Sequence, residues 1–312
     1  MRLIARRGFG LQAGVSLIEL MIGMVLGLLL VAFTGAAFIT QSNTTRATDE
    51  SSRLQETARV AITTLERTIR MAGFVSYGEG AQSPVGFCSA TTATTDSAAG
   101  DPPVLGPFIE ARSGSGHLEN SDRLILRFYG AGPASSANGD GSVRDCRGLS
   151  VPGQPSNNTV NTFYVDRDPD NEPALFCSVR VPGSAAASTT QAMIPGVESF
   201  QVLFAVTDGT TSEPRRLLAA GDVTDWRRVV AVKISVMLRG DTGSRPSADV
   251  GPSSTQAYYD MFDADYTARA GATDVGAKFT PSTLLTAAER LRLRRVFSST
   301  IELRNSPATL CT

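Results

Sequence analysis

Residues 15–39 read VSLIELMIGMVLGLLLVAFTGAAFI, an apolar run that carries a single charge, Glu19. As a helix rising about 1.5 Å per residue, this run is about 37 Å long, enough to cross a hydrocarbon core of about 30 Å with some tilt. A helix that is apolar on every face must lie in lipid or inside protein. Ahead of it stand Arg2, Arg6 and Arg7 and no acid. That asymmetry puts the N-terminus in the cytoplasm and everything beyond the run on the other side. A cleavable secretory signal fits poorly, because its apolar region is only about 7–15 residues and ends at an A-x-A-like site. A plain signal anchor fits the length but leaves Glu19 without a purpose. A carboxylate inside a membrane helix costs about 2.5–3.5 kcal/mol on insertion scales, which marks Glu19 as a functional candidate. Gly23 and Gly27, four apart, form a small-residue pair that permits close helix approach.

Beyond Ile39 the apolarity stops but a helical period continues. Leu54, Ala58, Ala61, Ile62, Leu65, Ile69 and Ala72 follow steps of three and four. Arg53, Glu56, Arg59, Glu66, Arg67 and Arg70 fill much of the remaining surface, and Gly73 stands as a C-terminal stop. The pattern predicts one helix from Val15 to Ala72. Its first half is apolar all round, and its second half has one stripe suited to a sheet.

After Gly73 the chain changes character. Short β-branched runs alternate with Gly, Pro, Asn and Asp, and only 19% of the 312 residues are charged. Predicted strands are 123–129, 160–166, 175–181, 199–206, 228–238 and 296–304. Val230, Val232, Ile234, Val236 and Leu238 alternate as in a half-buried strand. Segments 78–120 and 239–283 read as long loops, the second holding the aromatic cluster YYDMFDADY from Tyr258 to Tyr266. The expected class is α+β: a long N-terminal helix, membrane-spanning in its first half, packed on a C-terminal antiparallel β-sheet domain.

Gly14-Val15-Ser16-Leu17-Ile18-Glu19-Leu20 resembles the prepilin peptidase site of type IV pilins. Downstream, Leu54-Gln55-Glu56, Arg70-Met71-Ala72-Gly73-Phe74, Gly196-Val197-Glu198-Ser199-Phe200-Gln201-Val202, Arg294-Arg295-Val296-Phe297-Ser298-Ser299-Thr300 and Leu303-Arg304-Asn305 are similar to segments of PilW-type minor pilins. The resemblance implies cleavage after Gly14, with Val15 as the first mature residue and a site of N-methylation, and Glu19 fifth. Val stands where the family usually has Phe. Cleavage after Gly8 would place Ala13 fifth, so that register fails. The implied organisation is a leader over 1–14, a transmembrane and filament-core helix over 15–39, its amphipathic continuation over 40–73, and an exported β-rich domain over 74–312. The implied role is a minor pilin, held in the inner membrane with its C-terminal domain in the periplasm and then built into a surface pilus. Its partners would be other minor pilins, the major pilin, prepilin peptidase, the inner-membrane assembly platform and a tip adhesin. Two other readings are a J-like minor pseudopilin of a type II secretion system and a membrane-anchored adhesin or DNA-binding module. Glu19 would pair with the free α-amine of a neighbouring chain, which sets axial register.

The four cysteines, Cys88, Cys146, Cys177 and Cys311, all follow the apolar run and show no CxxC spacing. On the exported side of a membrane segment an even count reads as disulfides. Cys146 and Cys177 each adjoin a predicted strand and are paired here, leaving Cys88 with Cys311. Little else suggests chemistry. His117 is the one histidine, and no GxSxG, HExxH or P-loop motif occurs. No enzyme activity and no cofactor are expected. Asp166, Asp168 and Asp170 begin a D-x-D-x-D run like a calcium loop, but Asn171 and Cys177 stand where Gly and Glu belong. A net charge of −1 gives no global field for nucleic acid. The run Arg292, Arg294 and Arg295 is a local basic patch, read as a solvated edge or an inter-subunit ion pair rather than a DNA site.

Overall fold

One helix, α1 (Leu17–Ile69), contributes to both units into which the chain divides, residues 1–49 and residues 50–312. The computed structural model describes residues 14, 16–76, 85–96, 101–103, 105–114, 118–132, 139–151, 153, 158–180, 188–208, 216–241, 244, 259–270, 273–279 and 292–306.

In the first unit α1 exposes its large apolar side chains on every face, from Leu17 to Ile39, with Phe33 at 73%. None of its most apolar window is buried within the chain. Polar groups here look after themselves. The Thr34 hydroxyl donates to Leu30 O at 2.9 Å, and Thr40, Thr44, Thr45 and Thr48 each donate to the carbonyl four residues back. Such back-bonding satisfies the hydrogens of these hydroxyls where water is absent.

In the second unit the same helix has one buried stripe: Leu54, Ala58, Ala61, Leu65 and Ile69. Ala72 follows in the turn beyond it, while Arg53, Glu56 and Arg59 remain exposed. The small Ala58 and Ala61 let the backbone approach closely, and Leu54, Leu65 and Ile69 fill the space on either side. Only Ile62, expected in this stripe, is partly exposed.

The stripe shares one core with two antiparallel sheets. The first has five strands in sequential order: β1 (Ile109–Arg112), β2 (Arg123–Phe128), β3 (Thr159–Arg167), β4 (Pro173–Arg180) and β5 (Thr189–Pro195). The second has order β11-β8-β6-β7, from β6 (Val197–Val206), β7 (Arg216–Leu218), β8 (Val229–Arg239) and β11 (Arg294–Glu302). A short pair, β9 (Tyr259–Asp260) and β10 (Lys278–Phe279), and the helices α2 (Val85–Ser89) and α3 (Ala264–Ala270) complete the described elements. Core residues include Leu124, Leu126, Phe163, Val165 and Leu175 from the first sheet, and Phe200, Val202, Phe204, Val232, Ile234 and Val236 from the second.

The six predicted strands correspond to β2, β3, β4, β6, β8 and β11. The two segments expected as long loops contain structure instead. Segment 78–120 holds α2 and β1, and segment 239–283 holds β9, α3 and β10. The second of these also corrects the reading of β8 as half-buried. Its alternate positions, Ser235 and Met237, are buried too. The reason is the aromatic segment, which lies over this face: Met237, Met261 and Phe279 form one cluster, and Leu203, Tyr266 and Ala277 another. The Ser235 hydroxyl donates to the Met261 carbonyl.

Candidate functional site

The start of α1 is built by Ser16. Its hydroxyl accepts from the Glu19 N–H at 3.2 Å, and its carbonyl accepts from Leu20 N at 3.2 Å. Ser16 is thus an N-cap, and Glu19 stands in the first turn, where the helix dipole favours a carboxylate. Ser-x-x-Glu is itself a helix-start signal, and α1 begins just after it at Leu17. Gly14 is exposed, and Val15 lies outside the described residues. Glu19 is also exposed. A methyl built on Gly23 or Gly27 meets nothing within 4 Å. None of the described residues therefore makes use of their small size.

The end of α1 brings distant segments together. Gly73 takes φ +76°, and a side chain there would collide with the Asn305 carbonyl. Only glycine meets both demands without strain. The Gly73 N–H donates to Arg127 O at 2.9 Å. The Asn305 side-chain amide donates to Arg70 O and Ala72 O, each at 3.3 Å. Carbonyls left over at a helix C-terminus need such donors. The Arg70–Phe74 segment and the Leu303–Asn305 segment therefore meet, one capping the other.

A second junction joins the start of β6 to the start of β11. Arg294 Nε donates to Glu198 Oε2 at 2.6 Å and its Nη2 to Glu198 Oε1 at 2.9 Å, with both side chains buried. Arg239 adds a bond to Glu198 Oε1 at 3.3 Å and an ion pair to Glu172. A bidentate pair of this kind fixes geometry as well as charge. This corrects the reading of the basic run. Arg294 is spent inside the chain, and Arg292 donates to Gly240 O and pairs with Glu172 at 3.4 Å. Arg295 is exposed.

Asp166 lies near the end of β3, and Asp168 and Asp170 stand in the turn between β3 and β4. Asp168 Oδ1 accepts from the N–H groups of Asp170 and Glu172, both at 2.9 Å, and Asp166 Oδ1 accepts from Arg167 N at 2.8 Å. The Asp166 and Asp168 carboxylates serve as local acceptors, with Asn171 at φ +63° closing the hairpin. Asp168 and Asp170 also line a cleft of about 630 Å³ with Glu50, Arg53, Arg239 and Asp241. Among the described residues no group of three or more His, Cys, Asp or Glu side chains is arranged to hold a metal.

A disulfide joins Cys146 to Cys177, with Cα atoms 6.5 Å apart. Cys146 lies in the loop before β3, where its N–H donates to Asn161 Oδ1 at 2.9 Å, so the bridge ties that loop to β4. Cys88 is also disulfide-bonded. Cys311, expected as its partner, lies outside the described residues, as does His117.

Two buried polar groups gave no sequence signal. Arg127 and Glu110 are fully buried and pair at 2.6 Å. Arg127 also donates to Pro107 O at 2.7 Å and to Pro103 O at 3.0 and 3.1 Å, and Glu110 accepts from Thr94 N at 2.6 Å. Burial draws the Arg127 pKa down, and Glu110 opposes that shift. This network fastens the segment before β1 onto the sheet. The other group is Asp122, whose carboxyl is pushed up to about 8 by burial, with further repulsion from Asp274. The Val202 N–H opposes the shift by donating to Asp122.

Residues 162–305 match the family model for PilW, Type IV Pilus-assembly protein W. A search of curated proteins gave no match. Among solved structures, a type IV-like pilin from Thermus thermophilus aligns with TM-score 0.40 at 14% identity, covering 81% of this chain and 98% of that chain. The PilW match begins in β3, ends at the Asn305 cap and encloses the Glu198–Arg294 junction. From β3 to the residue that caps its long helix, the chain is similar to the PilW family of type IV pilus-assembly proteins.

Proposed function

We propose that this chain is a minor pilin, cleaved between Gly14 and Val15 by prepilin peptidase and built into a type IV pilus through α1. The observation that carries the reading is the first half of α1, with its apolar side chains exposed on every face and one carboxylate held in its first turn. The PilW match over 162–305 supports a type IV pilus as the filament.

The mechanism uses one helix in two apolar surroundings. Before assembly, residues 17–39 sit in the inner membrane as a single span, with the β-rich domain in the periplasm. After cleavage, Val15 carries a free α-amine. On entry into a filament the helix exchanges lipid for neighbouring helices, and Glu19 pairs with the α-amine of an adjacent subunit. Pairing relieves the cost of an isolated charge in low dielectric and selects one stagger. The neighbours are other minor pilins and the major pilin, delivered by the assembly platform. The chain acts as a structural subunit that primes or joins the filament, and no catalytic residue is assigned to it.

N-terminal mass spectrometry on sheared, purified filaments tests the reading. A chain beginning at Val15 is the expected result, and the same measurement reports whether that amine is methylated. Absence of the chain from filaments in cells that express it would overturn incorporation. Glu19→Ala should leave cleavage intact and reduce incorporation at least about tenfold, since an unpaired α-amine in the filament core costs several kcal/mol.

A further inference from the structure

Three acceptor oxygens in one part of the β-rich domain have no donor: Asp122 Oδ1, Asp274 Oδ1 and Gln201 Oε1. Their residues are 2%, 4% and 0% exposed. They share a neighbourhood. Val202 N–H donates to Asp122 Oδ2 at 2.8 Å, and the adjacent Gln201 places its amide against Gly276, close enough that a methyl on Gly276 would collide with it. Asp274 Oδ2 accepts from the Tyr266 hydroxyl at 2.9 Å. The Gln201 amide is held in one orientation, because its nitrogen donates to Asn120 O at 3.0 Å and to Ser199 Oγ at 3.4 Å. Turning it over would set the amide oxygen against the Asn120 carbonyl, acceptor against acceptor. A buried acceptor without a donor calls for a hydrogen from some group nearby.

We infer that Asp122 is a neutral acid in the folded domain and that its proton latches the 259–279 segment onto the four-stranded sheet, so that the segment loosens as pH rises. Burial and the negative charge around Asp122 favour the proton. Asp274 faces it from the 273–277 turn, and the Tyr266 phenol from α3. Asp222 adds negative charge to Asp274 and Tyr266 from the 220–222 turn. The Ser113 hydroxyl and the Gly114 N–H from the turn after β1, and the Val202 N–H from β6, favour the carboxylate instead, but burial outweighs them. None of these is a cation. Arg123, next in the chain, pairs with Asp96 at 2.8 Å, and Lys233 on β8 pairs with Asp263 at 3.6 Å.

The sign follows from the two states. With the segment docked, the Asp122 carboxyl sits at about 8 against an ordinary 3.8. With it undocked and solvated, the carboxyl returns to its ordinary value. Docking therefore retains a proton that undocking releases between about pH 4 and pH 8. Its equilibrium constant falls by up to about tenfold per pH unit across that window and levels off above it. What opens is apolar: Met261, Phe262, Tyr266 and Phe279 leave Leu203 and Met237.

Hydrogen exchange on the purified full-length chain in detergent, from about pH 5 to about pH 9 and corrected for intrinsic exchange, tests this. Protection in 259–270 and 273–279 should fall by up to about tenfold per pH unit and flatten above about pH 8, while β3 and β4 hold steady. Asp122→Asn keeps a hydrogen donor that cannot ionise, so its profile should be flat. A flat profile in the unaltered chain, or an unchanged slope in Asp122→Asn, overturns the latch. If Asp122→Asn does not fold, Asp274→Asn serves: removing its charge should move the levelling point to lower pH, and an unmoved point overturns the proposal. An arm with about 2 mM Ca²⁺ at about pH 9 covers the remaining case. Protection restored by calcium would mean that a cation, not a proton, is the missing partner.

Discussion

The two parts of α1 are built from similar apolar residues but have opposite surroundings. Leu26, in the first unit, is 57% exposed, and Leu65, in the second, is fully buried. In the second unit the apolar residues fall on one stripe, and the two sheets cover it. In the first they fall on every face, and none of the described residues covers them. Burial, not composition, decides which leucines stabilise the fold. The uncovered residues are available to lipid or to other chains.

Substitutions can break or sharpen this contrast. The largest effect should come from Glu198→Ala, which leaves Arg294 buried beside an empty site and should cost about 3–5 kcal/mol of unfolding free energy by chemical denaturation. Leu65→Ala should follow at about 2–5 kcal/mol, because a close-packed core cannot fully collapse into the cavity. Asn305→Ala removes two donors from the end of α1 and should cost about 1 kcal/mol, as lost helix caps do. Leu26→Ala should change unfolding of the β-rich domain by less than about 0.5 kcal/mol. A loss near that of Leu65→Ala would mean that the first half of α1 is covered by its own chain, and the contrast would fail.

The sequence showed these regions unequally, for physical reasons. The helix was legible because its signals are local: the apolar run, the 3.6-residue stripe and Gly73 all sit within a few turns. The six main strands were legible for the same reason. β5 was missed because an edge strand reading TTQAMIP shows little apolar alternation, and most of it is exposed. β1 was missed because IEAR looks like surface, while Glu110 is fully buried against Arg127. A buried charge and a solvated one look alike until the partner is known. The Glu198–Arg294 and Arg70–Asn305 junctions connect residues 96 and 235 positions apart. Their segments were recognisable one by one, but nothing local said that they touch.

The Asn305 cap also sets a schedule for folding. The first long element made has its last carbonyls satisfied by one of the last described residues. Glu198 likewise waits for Arg294, and β8 cannot pair with β11 until that strand exists. During synthesis from the N-terminus, the helix and most of both sheets emerge before the residues that fasten them. An early form of the domain would therefore have an open edge on β8 and an uncapped helix. Much of the stability of the domain waits for β11, which pairs with β8 and supplies Arg294. A chain cut short of β11 should lose the fold of the whole second unit, not only its final strand.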